Sequence, residues 1–232
     1  LPLALHRHRL SRSEGWWRTG AIDLDKANAA LDSVYSAASP DELAKAYADW
    51  AATYDSETAS LGYLLPFLIT AWVARYVLAS EGPLLDAGCG TGLSGPSMKA
   101  LGYHRLAGLD LSTDMLKIAE SRQTYDDLRQ GTLGETLPWP DGHFRAFFST
   151  GVFTMGHAPA SGLNELVRIT RSGGHAIFTV RDQVFESGGF AGVIATLEKE
   201  GKWRLVEESP WFRCYAVTEP EARVKTFVFE VL

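Results

Sequence analysis

The stretch Leu84-Leu85-Asp86-Ala87-Gly88-Cys89-Gly90-Thr91-Gly92 constrains this chain more than any other. Apolar residues lead into an acid, and three glycines then alternate with small residues. The pattern predicts a buried strand that ends in a tight loop, with a helix to follow near 93–101. A backbone bare of side chains can lie directly against a ligand, and helix N-terminal amides can point at it. Downstream, the apolar run Leu106-Ala107-Gly108-Leu109 ends in Asp110, twenty positions beyond Gly90. An acid at that offset suits the two hydroxyls of a ribose. The leading expectation is therefore a nucleoside site built on one βαβ unit.

From residue 83 onward, strands and helices alternate. Expected strands at 83–87, 105–110, 125–130 and Phe144–Thr150 are interleaved with helices near 93–101, 113–122 and 161–170. Ser172-Gly173-Gly174 turns into a strand at His175–Arg181, and a helix covers about 187–201. The end breaks this rhythm. Trp203–Ser209 and Arg223–Val231 read as strands with no long helix between them, an antiparallel pair closing an otherwise parallel sheet. Before residue 83 the reading is helical. A weak pattern covers 23–35. Ser39-Pro40-Asp41-Glu42 is sharper: a capping serine, a proline at the first helical position, and a glutamate that can reach back to complete a capping box. That helix is expected to run through Leu43, Ala46, Tyr47, Trp50 and Tyr54, with the three aromatic residues on one face. A third helix covers roughly 61–80.

The expected fold is α/β: a Rossmann-like, seven-stranded, mostly parallel sheet with an antiparallel C-terminal strand pair, helices on both faces and an N-terminal helical cap. No linker divides the chain. A flexible tail is expected at 1–20 and a single domain at 21–232, in which helices of 21–80 form a lid over a core at 81–232. The 46% hydrophobic and 22% charged content is ordinary for a globular protein. The net charge of −6 disfavours a nucleic-acid backbone as partner and weakly suits a cation. Two cysteines, Cys89 and Cys214, indicate neither a disulfide framework nor a cysteine metal site, and point to a reducing cytoplasm. The most apolar run, Leu61–Leu78, contains Arg75 and polar breaks and reads as a core helix, so no membrane partner is expected. The basic N-terminus, with His6, Arg7, His8, Arg9 and Arg12, lacks the apolar core of a signal peptide.

Taken in order, these segments resemble class I S-adenosylmethionine (SAM)-dependent methyltransferases. The resemblance covers about residues 43–232. It rests on Tyr47–Asp55, Leu85–Gly92, Gly108–Ser112, Leu137–Asp141, the strand from Phe144, His157 and Arg171–Gly174. Within the family the chain is most similar to the methyltransferase-like proteins named for the Williams–Beuren syndrome region. Thr132-Leu133-Gly134 followed by Leu137-Pro138, together with Tyr47–Asp55, carry that likeness.

The resemblance implies SAM as cofactor, S-adenosylhomocysteine as product, and a role for each motif. Gly88, Gly90 and Gly92 let the loop approach the cofactor, with Cys89 between them as a small filler and not a nucleophile. Asp86 would act near the methionine part of SAM, through the loop or a water; its alternative is a helix-capping or loop-bracing acid. Asp110 would take the ribose hydroxyls. Leu111 and Met115 would flank the adenine, or simply pack. Thr132 stands where many relatives have an acid for the adenine amino group; a hydroxyl still accepts, and the Leu133 amide could meet a ring nitrogen. A backbone carbonyl at Thr150 or Gly151 would receive the SAM ammonium. Tyr47 and Tyr54 are candidate lid residues whose rings suit a sulfonium, or else an aromatic stripe packing a helix, as expected of Trp50. His157 is the candidate general base, or a loop histidine that packs; His143 and His175 read as structural. No metal spacing occurs.

The implied reaction is an in-line displacement whose catalysis can come largely from alignment. A small apolar or aromatic acceptor is expected, enclosed by the N-terminal helices and the loops after 150 and at 181–190, where Phe153, Met155, Phe185 and Phe190 lie. A protein or RNA methyltransferase is a further possibility, with the acidic charge against RNA, and two rivals stand beside this reading. Gly90-Thr91-Gly92-Leu93-Ser94-Gly95 fits the G-x-G-x-x-G of an NAD-type oxidoreductase, and a non-catalytic SAM-binding protein would carry the same cofactor motifs. Acceptor atom and oligomeric state are not legible.

Overall fold

The computed structural model of the chain describes residues 24–219 and 221–232; the tail expected at 1–20 lies outside them. Strand β1, Leu84–Ala87, is buried along its whole length and forms the centre of the sheet. Its alternation sorts the two faces. Leu84 packs with Ile69, Val73 and Met98, while Leu85 and Ala87 pack with Phe147, Leu163 and Leu166 on the other side. Helices therefore cover both faces, as a parallel sheet requires.

Around β1 the chain lays down β2 (Leu106–Asp110), β3 (Asp127–Gln130), β4 (Phe144–Phe153), β5 (Thr170–Arg181), β6 (Trp203–Glu208), β7 (Phe212–Arg213) and β8 (Arg223–Val231). The order is β3-β2-β1-β4-β5-β8-β6. Pairings from β3 to β5 are parallel, and β8 runs antiparallel between β5 and β6. These are the seven expected strands; the two-residue β7 pairs with β8 beside that path. On one face Phe178 is ringed by Phe147, Phe153, Phe227, Phe229 and Trp203, and the Trp203 and Phe229 rings stack 4.1 Å apart. Phe153 and Phe190 belong to this core, at 1% and 2% exposure, so the core takes two of the aromatic residues expected around the acceptor.

Helix α1 (Leu24–Tyr35), α2 (Pro40–Trp50), α3 (Tyr54–Leu61) and α4 (Leu65–Tyr76) precede the sheet. The start of α2 follows the expected chemistry: the Glu42 amide donates to Ser39 Oγ at 3.2 Å, and Glu42 Oε2 accepts from the Ala38 amide at 2.8 Å. Replacing Ser39 with Ala is expected to cost about 1 kcal/mol, read as a shift of the urea midpoint at constant slope. The helix does not continue to Tyr54 as its periodicity predicts. It ends at Trp50, turns through Ala51-Ala52-Thr53, and restarts at Tyr54. The Trp50 indole donates to Glu57 at 2.7 Å and holds the turn, so the Tyr47, Trp50 and Tyr54 rings still meet across it. The helix expected over 61–80 is shortened to Leu65–Tyr76, because Gly62 ends α3 in a left-handed conformation.

Helices α5 (Gly95–Ala100), α6 (Thr113–Ser121) and α7 (Gly162–Ile169) link the parallel strands. The helix expected over 187–201 is α9 (Phe190–Lys199), which starts after Gly188-Gly189, and a short α8 (Asp182–Phe185) precedes it. The N-terminal helices form their own apolar cluster, Leu31, Leu43, Trp50, Leu61 and Leu65, closed by Cys214, Tyr215 and Val224 from the C-terminal segment. Among the described residues no helix is long and apolar enough to cross a membrane.

Candidate functional site

The strand order reverses at β1 and β4, since β2 and β3 extend to one side and β5 to the other. Open α/β sheets leave a crevice at such a point, outside the carboxyl ends of the strands. A cavity of about 340 Å³ lies there, lined by the loops after β1, β2, β3 and β4 and roofed by α2 and its preceding turn.

Asp110, at the end of β2, lines this cavity. Its Oδ2 accepts from the Gly90 amide at 2.8 Å and its Oδ1 from the Ser112 amide at 2.9 Å. A carboxylate oxygen accepts about two hydrogen bonds, so each keeps capacity for a hydroxyl. Burial raises the pKa of this carboxyl, and the amides of Ser112, Gly90 and Leu111 hold it partly back. Leu111 and Met115 follow on the same wall, and the loop after β3 adds Gly131, Thr132 and Leu133.

The glycine loop divides by role. Gly88 and Gly90 line the cavity, at φ +80° and +54°. A Cβ on Gly88 would overlap Val152 Cγ2, whereas one on Gly90 would meet nothing within 4 Å. Gly90 therefore borders open space that a ligand can fill. Asp86, Cys89 and Gly92 do not line the cavity. Asp86 is 1% exposed, and its Oδ2 accepts from Ser94 Oγ at 2.7 Å and Tyr125 Oη at 2.8 Å. It braces the strand against the start of α5, and burial pushes its pKa up to about 6. Cys89 is buried, its amide bonded to Leu109 O at 2.9 Å and its thiol pushed well above the ordinary range by burial. Gly92 packs against Tyr125 and Ala119, where a side chain would not fit.

At the end of β4 the register against β5 slips between Ser149 and Phe153. The slip takes Thr150, Gly151 and Val152 off the ladder and turns them toward the cavity they line. The Gly151 amide instead donates to Thr179 Oγ1 at 3.3 Å.

Tyr47, Tyr54 and His157 all line the cavity. The Tyr47 hydroxyl and His157 Nε2 are 2.7 Å apart, and His157 Nδ1 is 2.6 Å from Met155 O. A carbonyl only accepts, so Nδ1 carries the proton and Nε2 accepts from Tyr47. Burial lowers the His157 pKa, and the Arg181 charge adds to it, so the ring is neutral. Burial raises the Tyr47 and Tyr54 hydroxyls well above their usual range, so both are phenols. His157 is thus a partner of the lid tyrosine before it is a free base. His143 is exposed, and His175 lies 3.3 Å from Arg145 Nη1, both away from the cavity. Among the described residues no three His, Cys, Asp or Glu side chains converge to hold a metal.

The sequence reading missed Tyr63, which lines the cavity beside Gly151, where a Cβ would overlap the Tyr63 hydroxyl. It also missed a clasp. Thr91 Oγ1 donates to Asp55 Oδ1 at 2.6 Å, Asp55 pairs with Arg122, and Arg122 Nε donates to Thr91 O at 2.5 Å. The clasp ties α3 to the glycine loop. Asp55 and Thr91 both lie in noted motifs, but nothing in their spacing pairs residues 36 positions apart.

Comparison with known proteins decides the family. The methyltransferase domain family matches residues 85–178. Human methyltransferase-like protein 27 is 33% identical over 166 residues, covering 68% of this chain and 66% of that protein. The chain belongs to the class I SAM-dependent methyltransferases. The malonyl-[acyl-carrier protein] O-methyltransferase of Erwinia billingiae is 34% identical over 108 residues, 46% of this chain and 42% of that protein. The chain thus spans just under two thirds of the human relative and less than half of the bacterial one. In fold, it matches a methyltransferase solved with the Trm112 activator of Haloferax volcanii, at TM-score 0.59 and 19% identity over 80% of this chain and 97% of that one.

The residues present fit the family's cofactor. Asp110 has two oxygens already oriented by amides, Gly90 leaves open space beside them, Leu111 and Met115 are apolar flanks, and two electron-rich rings stand at the lid. The last glycine of the G-x-G-x-x-G pattern, Gly95, is packed tightly: a Cβ there would overlap Thr124 Oγ1.

Proposed function

We propose that the protein methylates a small-molecule acceptor with SAM, releasing S-adenosylhomocysteine. Bound SAM supplies an activated methyl on a sulfonium, so the protein need not form a covalent intermediate. Asp110 holds the ribose hydroxyls, Leu111 and Met115 flank the adenine with Thr132 and Leu133 at its edge, and Gly88 and Gly90 admit the backbone of the loop to close contact. The off-ladder segment at Thr150 and Gly151 receives the amino-acid end. Residues 21–80 act as a lid on the core at 81–232, with Tyr47 and Tyr54 over the methionine end. His157 accepts a hydrogen bond from the Tyr47 hydroxyl at Nε2 and so positions Tyr47, whose hydroxyl orients the acceptor. Asp86, Cys89 and Gly92 support the loop from behind. The net charge of −6 favours a small acceptor over a nucleic acid. Two buried free thiols suit a reducing cytoplasm.

The observation that carries this reading is Asp110, held by two amides and lining the switch-point cavity. Asp110→Ala is expected to weaken SAM binding by more than tenfold, about 1.4 kcal/mol or more, in calorimetry on a variant with an unchanged far-UV spectrum. Unchanged affinity overturns the ribose assignment. Transfer of labelled methyl from SAM to a component of a small-molecule extract separates an enzyme from a non-catalytic SAM-binding protein.

A further inference from the structure

Beside the main cavity lies a second chamber of about 40 Å³. Tyr47, Tyr54, Tyr63, Gly151 and His157 line both, so they stand between the two. Arg181, the last residue of β5, also lines the chamber and is 6% exposed. Its guanidinium lies over the Tyr35 ring, 4.8 Å from the centroid. Its Nη2 is 3.6 Å from Glu219, too far for a hydrogen bond. Its Nε is buried with no hydrogen-bond partner at all. Thr154 Oγ1, on the same chamber, is also buried and unpartnered.

A buried donor left without an acceptor costs about 1–3 kcal/mol, and more when charged. Native structures hold few such groups, and each calls for an explanation. Here two of them line one chamber, and one is a guanidinium, the group whose planar edge matches a carboxylate. At about 10–15 Å³ for one water, a volume of about 40 Å³ suits a small group of carboxylate size.

We propose that this chamber is an anion subsite that binds a carboxylate of the methyl acceptor, with Arg181 Nε and Thr154 Oγ1 as its donors. The acceptor is then a small carboxylic acid whose far end reaches past Gly151 and His157 into the main cavity. Glu219 stays near enough to hold the guanidinium in place and leaves its Nε edge for the ligand. The assignment of this carboxylate to an acceptor rests on the methyltransferase reading above.

The test uses the full chain, with propionate, propionamide and inorganic phosphate as probes. The nitrogen-15 and proton signals of Arg181 Nε–H, assigned by their loss in Arg181→Lys, are followed in each titration. Propionate is expected to shift them saturably, and propionamide and phosphate to leave them in place. Arg181→Gln is expected to weaken propionate binding at least tenfold and to bind S-adenosylhomocysteine within twofold of the parent protein. Thr154→Val, which keeps the arginine, is expected to weaken propionate severalfold and serves if Arg181→Gln does not fold. An Arg181 signal unmoved by propionate, or moved equally by propionamide, overturns the subsite; phosphate binding as well as propionate overturns its class. Should the parent protein fail to bind S-adenosylhomocysteine, the methyltransferase reading falls, while the propionate titration still judges the subsite.

Discussion

Gly88→Ala is expected to lower stability by about 2–5 kcal/mol and to abolish measurable SAM binding. Two costs add. At φ +80° an L-residue with a Cβ is strained, at about 1–2 kcal/mol. The new methyl also overlaps Val152 Cγ2, and overpacking of this kind costs about 1–3 kcal/mol. Val152 belongs to the off-ladder segment with Thr150 and Gly151, so relieving the overlap displaces the cavity wall itself. Gly90→Ala is the control. Its Cβ would meet no protein atom within 4 Å, so only the backbone strain applies, yet the methyl enters the space beside Asp110. It is expected to lose SAM affinity with a stability loss of about 1–2 kcal/mol. Urea denaturation and calorimetry on both variants separate the effects. A Gly88→Ala protein within about 1 kcal/mol of the parent and with SAM affinity within twofold would contradict the packing argument.

Replacing Asp86 with Asn is expected to raise stability relative to the parent progressively between about pH 4 and pH 6. Burial lifts this carboxyl from 3.8 to about 6, against the pull of the Ser94 and Tyr125 hydrogen bonds and with a further push from Asp110. In that window the folded state holds a proton that the unfolded state has released. Stability therefore falls as pH rises through it and stays reduced above it. The shift corresponds to about 3 kcal/mol of penalty for the ionised form at neutral pH. The difference between the Asp86→Asn variant and the parent protein isolates this group from His157 and His175, whose lowered pKa values act in the opposite direction. The asparagine side chain can still accept from Ser94 and Tyr125, so the packing is kept. Two stability–pH curves that run parallel from pH 4 to pH 7 would show that Asp86 does not titrate in the folded state in this range.

The strand ends that line the cavity were legible because their parts are local. Asp110 ends an apolar run, Gly88 and Gly90 end another, and both strands place their last residues at the same edge of a parallel sheet. At Asp86, Cys89 and Gly92 the same signals do not separate a ligand contact from packing. Alternation along a strand and loop tells which residues are buried, but not whether the buried side faces a ligand or the next helix. Ser94 and Tyr125 decided that for Asp86. The helix from Pro40 was read past its end at Trp50 to Tyr54, since the aromatic spacing of Tyr47, Trp50 and Tyr54 survives a turn that the Trp50–Glu57 bond holds in place. Tyr63 and Arg181 carried no signal: each is a single residue in an apolar or strand-like stretch, brought to the site by elements distant in the chain.

By itself the sequence determined the parallel sheet and its antiparallel end, because periodicity and turn residues are properties of short segments. Only the tertiary structure decided which loop residues face the cavity, that His157 is engaged by Tyr47, and that Arg181 Nε and Thr154 Oγ1 are buried beside one chamber without partners. Those facts depend on which side chains lie within hydrogen-bond reach, a distance of about 3 Å between groups up to 110 positions apart in the chain. No pattern along the chain encodes that distance; the packing of the N-terminal helices onto the sheet sets it.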